Sequence, residues 1–242
     1  MHSIYNFHFL NTISRQLNEE LEALGASKLD LGAVAALDDY QRANHAKQGV
    51  YLLYYAGEPV YLGKADGVAE RVGQHLRKLL GRQNIDPGKI GYKCILLDKS
   101  MSTAANESIL IEMFRESHSG MWNGRGFGPK DPGKERDGTK PSWFDENHPI
   151  RLDVTISGVD EEMSLQTLCL KLKAQLPYVF RYDLESRGAE MIDASKVDKE
   201  PMAMLEAIVR HLGTGWRGAV LSFGLVLYKN QKSYPYARIV EP

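Results

Sequence analysis

Two tyrosines, Tyr51 and Tyr61, stand ten positions apart in a stretch rich in aromatic and β-branched residues. Arg71 and His75 follow at i and i+4, so on a helix they project from one face. A guanidinium is permanently charged and offers a planar fork of N–H donors that fits a phosphate. An imidazole one turn away can take or relay a proton near neutral pH. Further on, Glu107 and Glu112 lie in the run Ala105-Asn-Glu-Ser-Ile-Leu-Ile-Glu112. Mg²⁺ asks a protein for only one or two carboxylates, because water and substrate phosphate complete its shell. Asn123 closes the series behind Trp122. Taken singly, each has a plainer explanation: strand tyrosines pack, helical Arg, His and Glu face water, and Asn ends a turn. Taken in order, they supply proton transfer beside a clamp for an anion.

The elements that must hold these groups are legible from pattern. Asn11–Leu24 reads as an amphipathic helix through Ile13, Leu17, Leu21 and Leu24, with Gly25 as its stop. Leu31–Ala46 is a weaker helical stretch. Gly49–Tyr55 and Val60–Lys64 read as strands of a hairpin with Ala56–Pro59 between them. Gly67–Leu80 is a helix carrying Val68, Val72, His75, Leu76 and Leu79, ended by Gly81. Gly91–Leu97 is a third strand. Ser102 is placed to cap a helix running to about His118. Gly124–Asn147, dense in Gly and Pro, reads as a long loop, and long loops in compact chains carry function or disorder. Beyond it the pattern predicts a strand over Arg151–Ile156, helices over Asp160–Leu176 and Pro201–Leu212, and a closing hairpin of Ala219–Tyr228 and Tyr234–Val240 around Asn230-Gln231.

Composition narrows the class. The chain has 242 residues, 43% of them hydrophobic and 25% charged, an ordinary globular balance that excludes a disordered or collagen-like chain. Two cysteines, Cys94 and Cys169, neither in a CxxC pair, exclude a disulfide scaffold and a Cys-rich zinc site. No apolar run reaches the roughly 20 residues of a membrane span. Met1–Leu17 lacks a basic segment followed by an apolar one, so no signal peptide is expected. A cytoplasmic protein with no membrane partner is therefore expected. The formal net charge is −1, against a general nucleic-acid coat. Basic residues nevertheless gather in the middle third: Lys64–Lys93 holds seven bases against three acids, and Gly124–Lys140 five against three, whereas residues 151–242 hold twelve of each sign.

The ordered set Gly49-Val50-Tyr51, Tyr61-Leu62-Gly63, Arg71, His75, Glu107 and Asn123 resembles the GIY-YIG endonuclease superfamily. The resemblance covers about residues 49–123. Val50 and Leu62 stand where the name-giving motifs have isoleucine, and the interval from Glu107 to Asn123 is longer than the pattern's. Trp122-Asn123-Gly-Arg-Gly-Phe-Gly128, Pro132-Gly133, Ser142-Trp143-Phe-Asp145 and His148-Pro149 look like the tail of that superfamily's type II restriction enzymes, as does Lys64-Ala65.

The resemblance implies an α+β fold. Its small nuclease core (residues 49–150) has β-β-α-β-α order and a DNA-reading loop at 124–148, with an N-terminal helical extension (1–48) and a C-terminal α/β extension (151–242). It implies Mg²⁺, with Mn²⁺ as a substitute, held by Glu107, or by Glu112 if the helix register shifts. It assigns Tyr51 to accept a proton from water, helped by His75. Tyr61 joins that network, Arg71 holds the phosphate, and Asn123 fixes the site. Arg71, Lys64 and the metal are the cations expected to favour the Tyr51 phenolate. Arg77, Lys78 and Arg82 would hold DNA phosphates. Arg125, Lys130, Lys134, Arg136 and Lys140 would reach base edges. The implied activity is site-specific cleavage of double-stranded DNA at a short palindrome by a homodimer, with a cognate DNA methyltransferase. A structure-specific repair or mobile-element nuclease, and a noncatalytic DNA-binding module, are the alternatives.

Overall fold

The computed structural model describes residues 9–97, 111, 118–128, 133–229 and 232–242. The protein is mixed α+β. It divides into two compact units, residues 1–76 with 86–128, and residues 77–85 with 129–242. Among the described residues no helix is long and apolar enough to cross a membrane.

The first unit opens with helix α1 (Phe9–Ala23), a two-residue strand β1 (Ser27–Lys28) and helix α2 (Leu31–Ala43). Asp30 caps α2 by accepting a hydrogen bond from the Ala33 amide at 2.9 Å. Strands β2 (Gly49–Tyr55) and β3 (Glu58–Ala65) form the expected hairpin, joined by Ala56-Gly57. Pro59 falls inside β3, which tolerates it because β3 is the edge of the sheet. Helix α3 (Val68–Leu80) and strand β4 (Ile90–Leu96) follow. The antiparallel sheet has the order β1-β4-β2-β3. Because strand side chains alternate, one face presents Val50, Leu52 and Leu62, which pack with Leu17 and Leu21 of α1 and with Leu97 and Met121. Tyr51, Leu53, Tyr61 and Gly63 belong to the other face, which meets α3. The helix expected over Ser102–His118 lies outside the described residues except for Ile111 and His118.

In the second unit, the segment expected to be a long loop contains a 3₁₀ turn (Gly133–Arg136) and a short helix α4 (Trp143–Asn147), capped by Ser142, whose hydroxyl accepts from the Asp145 amide. The expected strand at Arg151–Ile156 is absent; only an isolated bridge between Arg82 and Ile150 forms there. Strand β5 (Glu162–Ser164), helix α5 (Leu165–Gln175), strand β6 (Val179–Tyr182), strand β7 (Met191–Asp193) and helix α6 (Pro201–Leu212) follow. The predicted strand Ala219–Tyr228 is two strands, β8 (Trp216–Leu221) and β9 (Gly224–Lys229), turning at Ser222-Phe223. Strand β10 (Arg238–Val240) pairs with β8. The unbroken apolar run through this region hides the turn. In the sheet, β10-β8-β9-β6, only β6 and β9 are parallel. Its main core joins Leu168, Cys169 and Leu172 of α5 and Leu205, Ile208 and Val209 of α6 to Phe180, Trp216, Leu225 and Leu227. A second cluster holds Ala219, Leu221, Phe223, Val226 and Tyr228.

Candidate functional site

The β2–β3 register sets the site. Tyr51 lies opposite Gly63, and Leu53 opposite Tyr61, so both tyrosines share a face as diagonal neighbours, their ring centroids 6.2 Å apart. The Tyr51 phenol lies across the ladder where Gly63 leaves space. A Cβ on Gly63 would come within 2.3 Å of the Tyr51 hydroxyl and 2.9 Å of the Tyr61 ring. A glycine opposite the first tyrosine is thus a packing requirement of the pair.

Helix α3 brings in the other two groups. Its first turn is fixed by Gln41, buried on α2, whose side-chain oxygen accepts from the Ala69 amide at 3.1 Å and whose side-chain nitrogen donates to the Lys47 carbonyl at 2.6 Å. His75 Nε2 lies 2.8 Å from the Tyr51 hydroxyl. The His75 ring is 5.1 Å from that of Tyr61. Arg71, one turn earlier, donates through Nη1 to Gln74 Oε1 at 3.1 Å and through Nη2 to the Gly128 carbonyl.

Burial holds the Tyr51 phenol further from ionisation than an exposed tyrosine. The residue is 0% exposed. Loss of water pushes its hydroxyl pKa far above the ordinary value, and the Tyr61 phenol adds to that; the Arg71 guanidinium beside it pulls the other way and loses. Arg71 thus favours the phenolate, as expected of a neighbouring cation, but is outweighed by burial. Lys64 contributes nothing to that balance, because the next residue along a strand faces the other way.

Asn123 joins the site through the backbone. Its Oδ1 accepts from the Leu62 amide at 3.0 Å and its Nδ2 donates to the Leu62 carbonyl at 2.8 Å. Leu62 sits between Tyr61 and Gly63 on an edge strand, so one carboxamide satisfies the outward polar groups of the residue between them. The Trp122 amide extends this pairing to the Val60 carbonyl at 2.5 Å.

Tyr51, Tyr61, Arg71, His75 and Asn123 thus converge in the first unit. Glu107, Glu112 and Lys130 lie outside the described residues. Among the described residues no group of three or more His, Cys, Asp or Glu side chains could hold a metal ion. Sequence reasoning missed Phe127. Its ring stacks on His75 at 4.9 Å and meets Tyr61 edge-on at 5.1 Å. The signal available for it was a lone aromatic residue among glycines.

The expected DNA contacts fare differently. Lys64 is half-buried, Lys140 is exposed, and Arg125 is exposed with Nη2 3.4 Å from the Ser119 carbonyl. Three arginines bond to their own chain, and of these Arg82 is too buried to reach DNA as expected of it. Arg77 donates to the carbonyls of Ala174 (2.6 Å) and Leu176 (2.9 Å) at the end of α5. Arg82 is 2% exposed, ion-pairs with Asp145 at 3.0 Å and donates to the carbonyls of His148 and Ser222. Arg136 ion-pairs with the same Asp145 and lies 3.9 Å from the Phe223 ring centroid. Lys78 lies over Phe144, and Lys134 over Tyr228 with Asp183 at 3.8 Å.

Comparison with models of known protein families finds no match, and comparison with curated proteins finds none either.

Proposed function

We propose that this protein is a Mg²⁺-dependent DNA endonuclease of the GIY-YIG type, resembling the type II restriction branch, which hydrolyses double-stranded DNA at a short palindromic site. The observation that carries the reading is the 2.8 Å contact between the Tyr51 hydroxyl and His75 Nε2, on the helix face that also bears Arg71. Their β-β-α-β order supports it as well.

The chemistry follows from the neutral state of Tyr51. A neutral phenol takes a proton from water only as it gives up its own, and His75 Nε2 is the acceptor within reach when its imidazole carries its proton on Nδ1. Tyr61 and Phe127 hold the imidazole in place. Arg71 stabilises charge on the non-bridging phosphate oxygens. Mg²⁺, or Mn²⁺ in its place, would neutralise charge on the phosphate and the leaving oxygen, with Glu107 as its protein ligand. DNA contact is assigned to the basic residues Lys64, Lys78, Arg125, Lys130, Lys134 and Lys140. A palindromic target makes a homodimer on DNA the simplest assembly, with a methyltransferase protecting the host's sites in the cytoplasm.

Digestion of a supercoiled plasmid with Mg²⁺, followed by mapping of the fragment ends, tests this. The expected result is a set of fragments with common ends, lost in EDTA and in Glu107→Gln. No cleavage with Mg²⁺ or Mn²⁺ overturns the reading, and DNA binding without cleavage selects the noncatalytic alternative.

A further inference from the structure

The site is closed. Tyr51 is 0%, His75 3%, Tyr61 8% and Phe127 1% exposed, so no phosphate or attacking water reaches the Tyr51 hydroxyl in this arrangement. Residues 122–128 cover the His75 and Tyr61 side of it. At its root the segment is tied to β3 by the Asn123 carboxamide and the Trp122 amide. At its far end Phe127 lies flat on His75, and the Gly128 carbonyl accepts from Arg71 Nη2. Gly128 has φ +100°, in the region that favours glycine, and a Cβ there would come within 2.4 Å of the Tyr61 hydroxyl. The segment therefore touches three of the four groups assigned to chemistry, His75 and Tyr61 through Phe127 and Arg71 through Gly128, a position that favours glycine.

We infer that residues 122–128 form an autoinhibitory strap. In the resting protein the Gly128 carbonyl takes the place on Arg71 that a phosphate oxygen takes during cleavage, and Phe127 keeps water from His75. The inference rests on the phosphodiesterase reading of the site. A carbonyl oxygen is a neutral stand-in for a phosphate oxygen, and the charged ligand makes the stronger hydrogen bond to a guanidinium. Binding of DNA thus supplies the differential affinity that opens the strap. Arg125, exposed midway along the segment, is the side chain through which a DNA backbone would draw it away.

The test is diethyl pyrocarbonate modification of the intact protein, read residue by residue by peptide mass spectrometry, with the exposed His45 as internal reference. In the wild type His75 should react at least about tenfold more slowly than His45, since it is reached only through strap opening. Gly128→Ala, whose methyl group props the strap off Tyr61, should raise the His75 rate toward that of His45. Phe127→Ala, which removes the cover without straining the backbone, should do the same. Gly128→Ala should also bind a plasmid-derived duplex more tightly in EDTA, because the competing carbonyl is withdrawn from Arg71. A wild-type His75 that reacts as fast as His45 overturns the strap without any variant. Unchanged His75 protection in both variants, with native circular dichroism, also overturns it. If His75 is protected but the wild type never cuts DNA, the phosphodiesterase reading fails and takes the autoinhibitory role with it. If the wild type cuts while His75 reacts freely, only the strap is lost.

Discussion

In the second unit Arg82 and Arg136 share the carboxylate of Asp145, and Arg181 takes that of Asp137. In the first unit Arg71 donates to neutral oxygens, the Gly128 carbonyl and the Gln74 amide. The two acids are 0% and 4% exposed, and a buried charge persists only with its partners in place. Arg82, Arg136 and Arg181 therefore satisfy buried acids and tie together segments apart in sequence. Arg71, half-exposed and facing neutral acceptors, keeps its charge available to an incoming anion. The difference separates an arginine that builds a fold from one that can bind a ligand, and the sequence alone ranks them alike.

The largest expected effect lies in the second unit. Asp145→Ala leaves Arg82 and Arg136 without their shared acid, at a cost of about 3–5 kcal/mol in urea unfolding. A cost under about 1 kcal/mol would dissolve the contrast. Arg71→Ala should do the reverse: stability within about 0.5 kcal/mol of wild type, and single-turnover cleavage slower by about 100–1,000-fold. A loss of cleavage below about tenfold would place Arg71 with the structural arginines.

Asn123→Ala should cost about 1–3 kcal/mol in a thermal melt, because the Leu62 amide and carbonyl both lose a buried partner. Asn123→Asp sets a buried carboxylate oxygen against the Leu62 carbonyl and should cost at least as much; a wild-type melt for either variant would contradict the pairing.

The smallest effect is a pH effect on the two thiols. Burial raises Cys94 in the first unit to about 11 and Cys169 in the second to about 12. The unfolded chain ionises them at about 9, so it releases protons that the native state still holds. Their stabilising contribution is full below about pH 9 and fades as pH rises toward the folded values. In alkylation by iodoacetamide at rising pH, Cys94 should react before Cys169. The opposite order would mean that the second unit opens more readily than the first.

What was legible in the sequence follows the range of the interactions. The β2–β3 hairpin and α3 depend on neighbours, on turn residues and on spacing, and their predicted bounds lie within two residues of those observed. Tyr51, Tyr61, Arg71 and His75 come together because strand register and helical repeat are themselves local rules. Arg82 was misread because its partner, Asp145, is 63 residues away, in a segment whose Gly and Pro content suggested a loop. Phe127 was missed for the same reason: its stacking on His75 is fixed by Asn123 and Gly128, and no periodicity announces it. The burial that raises the Tyr51 pKa is likewise a property of the packed site, not of its motif.

The central claim is that the Tyr51 hydroxyl, bonded to His75, serves phosphodiester cleavage. The most direct measurement is the single-turnover rate of cleavage of a supercoiled plasmid with Mg²⁺ by Tyr51→Phe beside wild type, with a thermal melt of each. The account predicts a rate lower by about 100-fold or more, and a stability loss no larger than one hydrogen bond, about 1 kcal/mol. Cleavage by Tyr51→Phe at close to the wild-type rate, in a protein that melts like wild type, would contradict it.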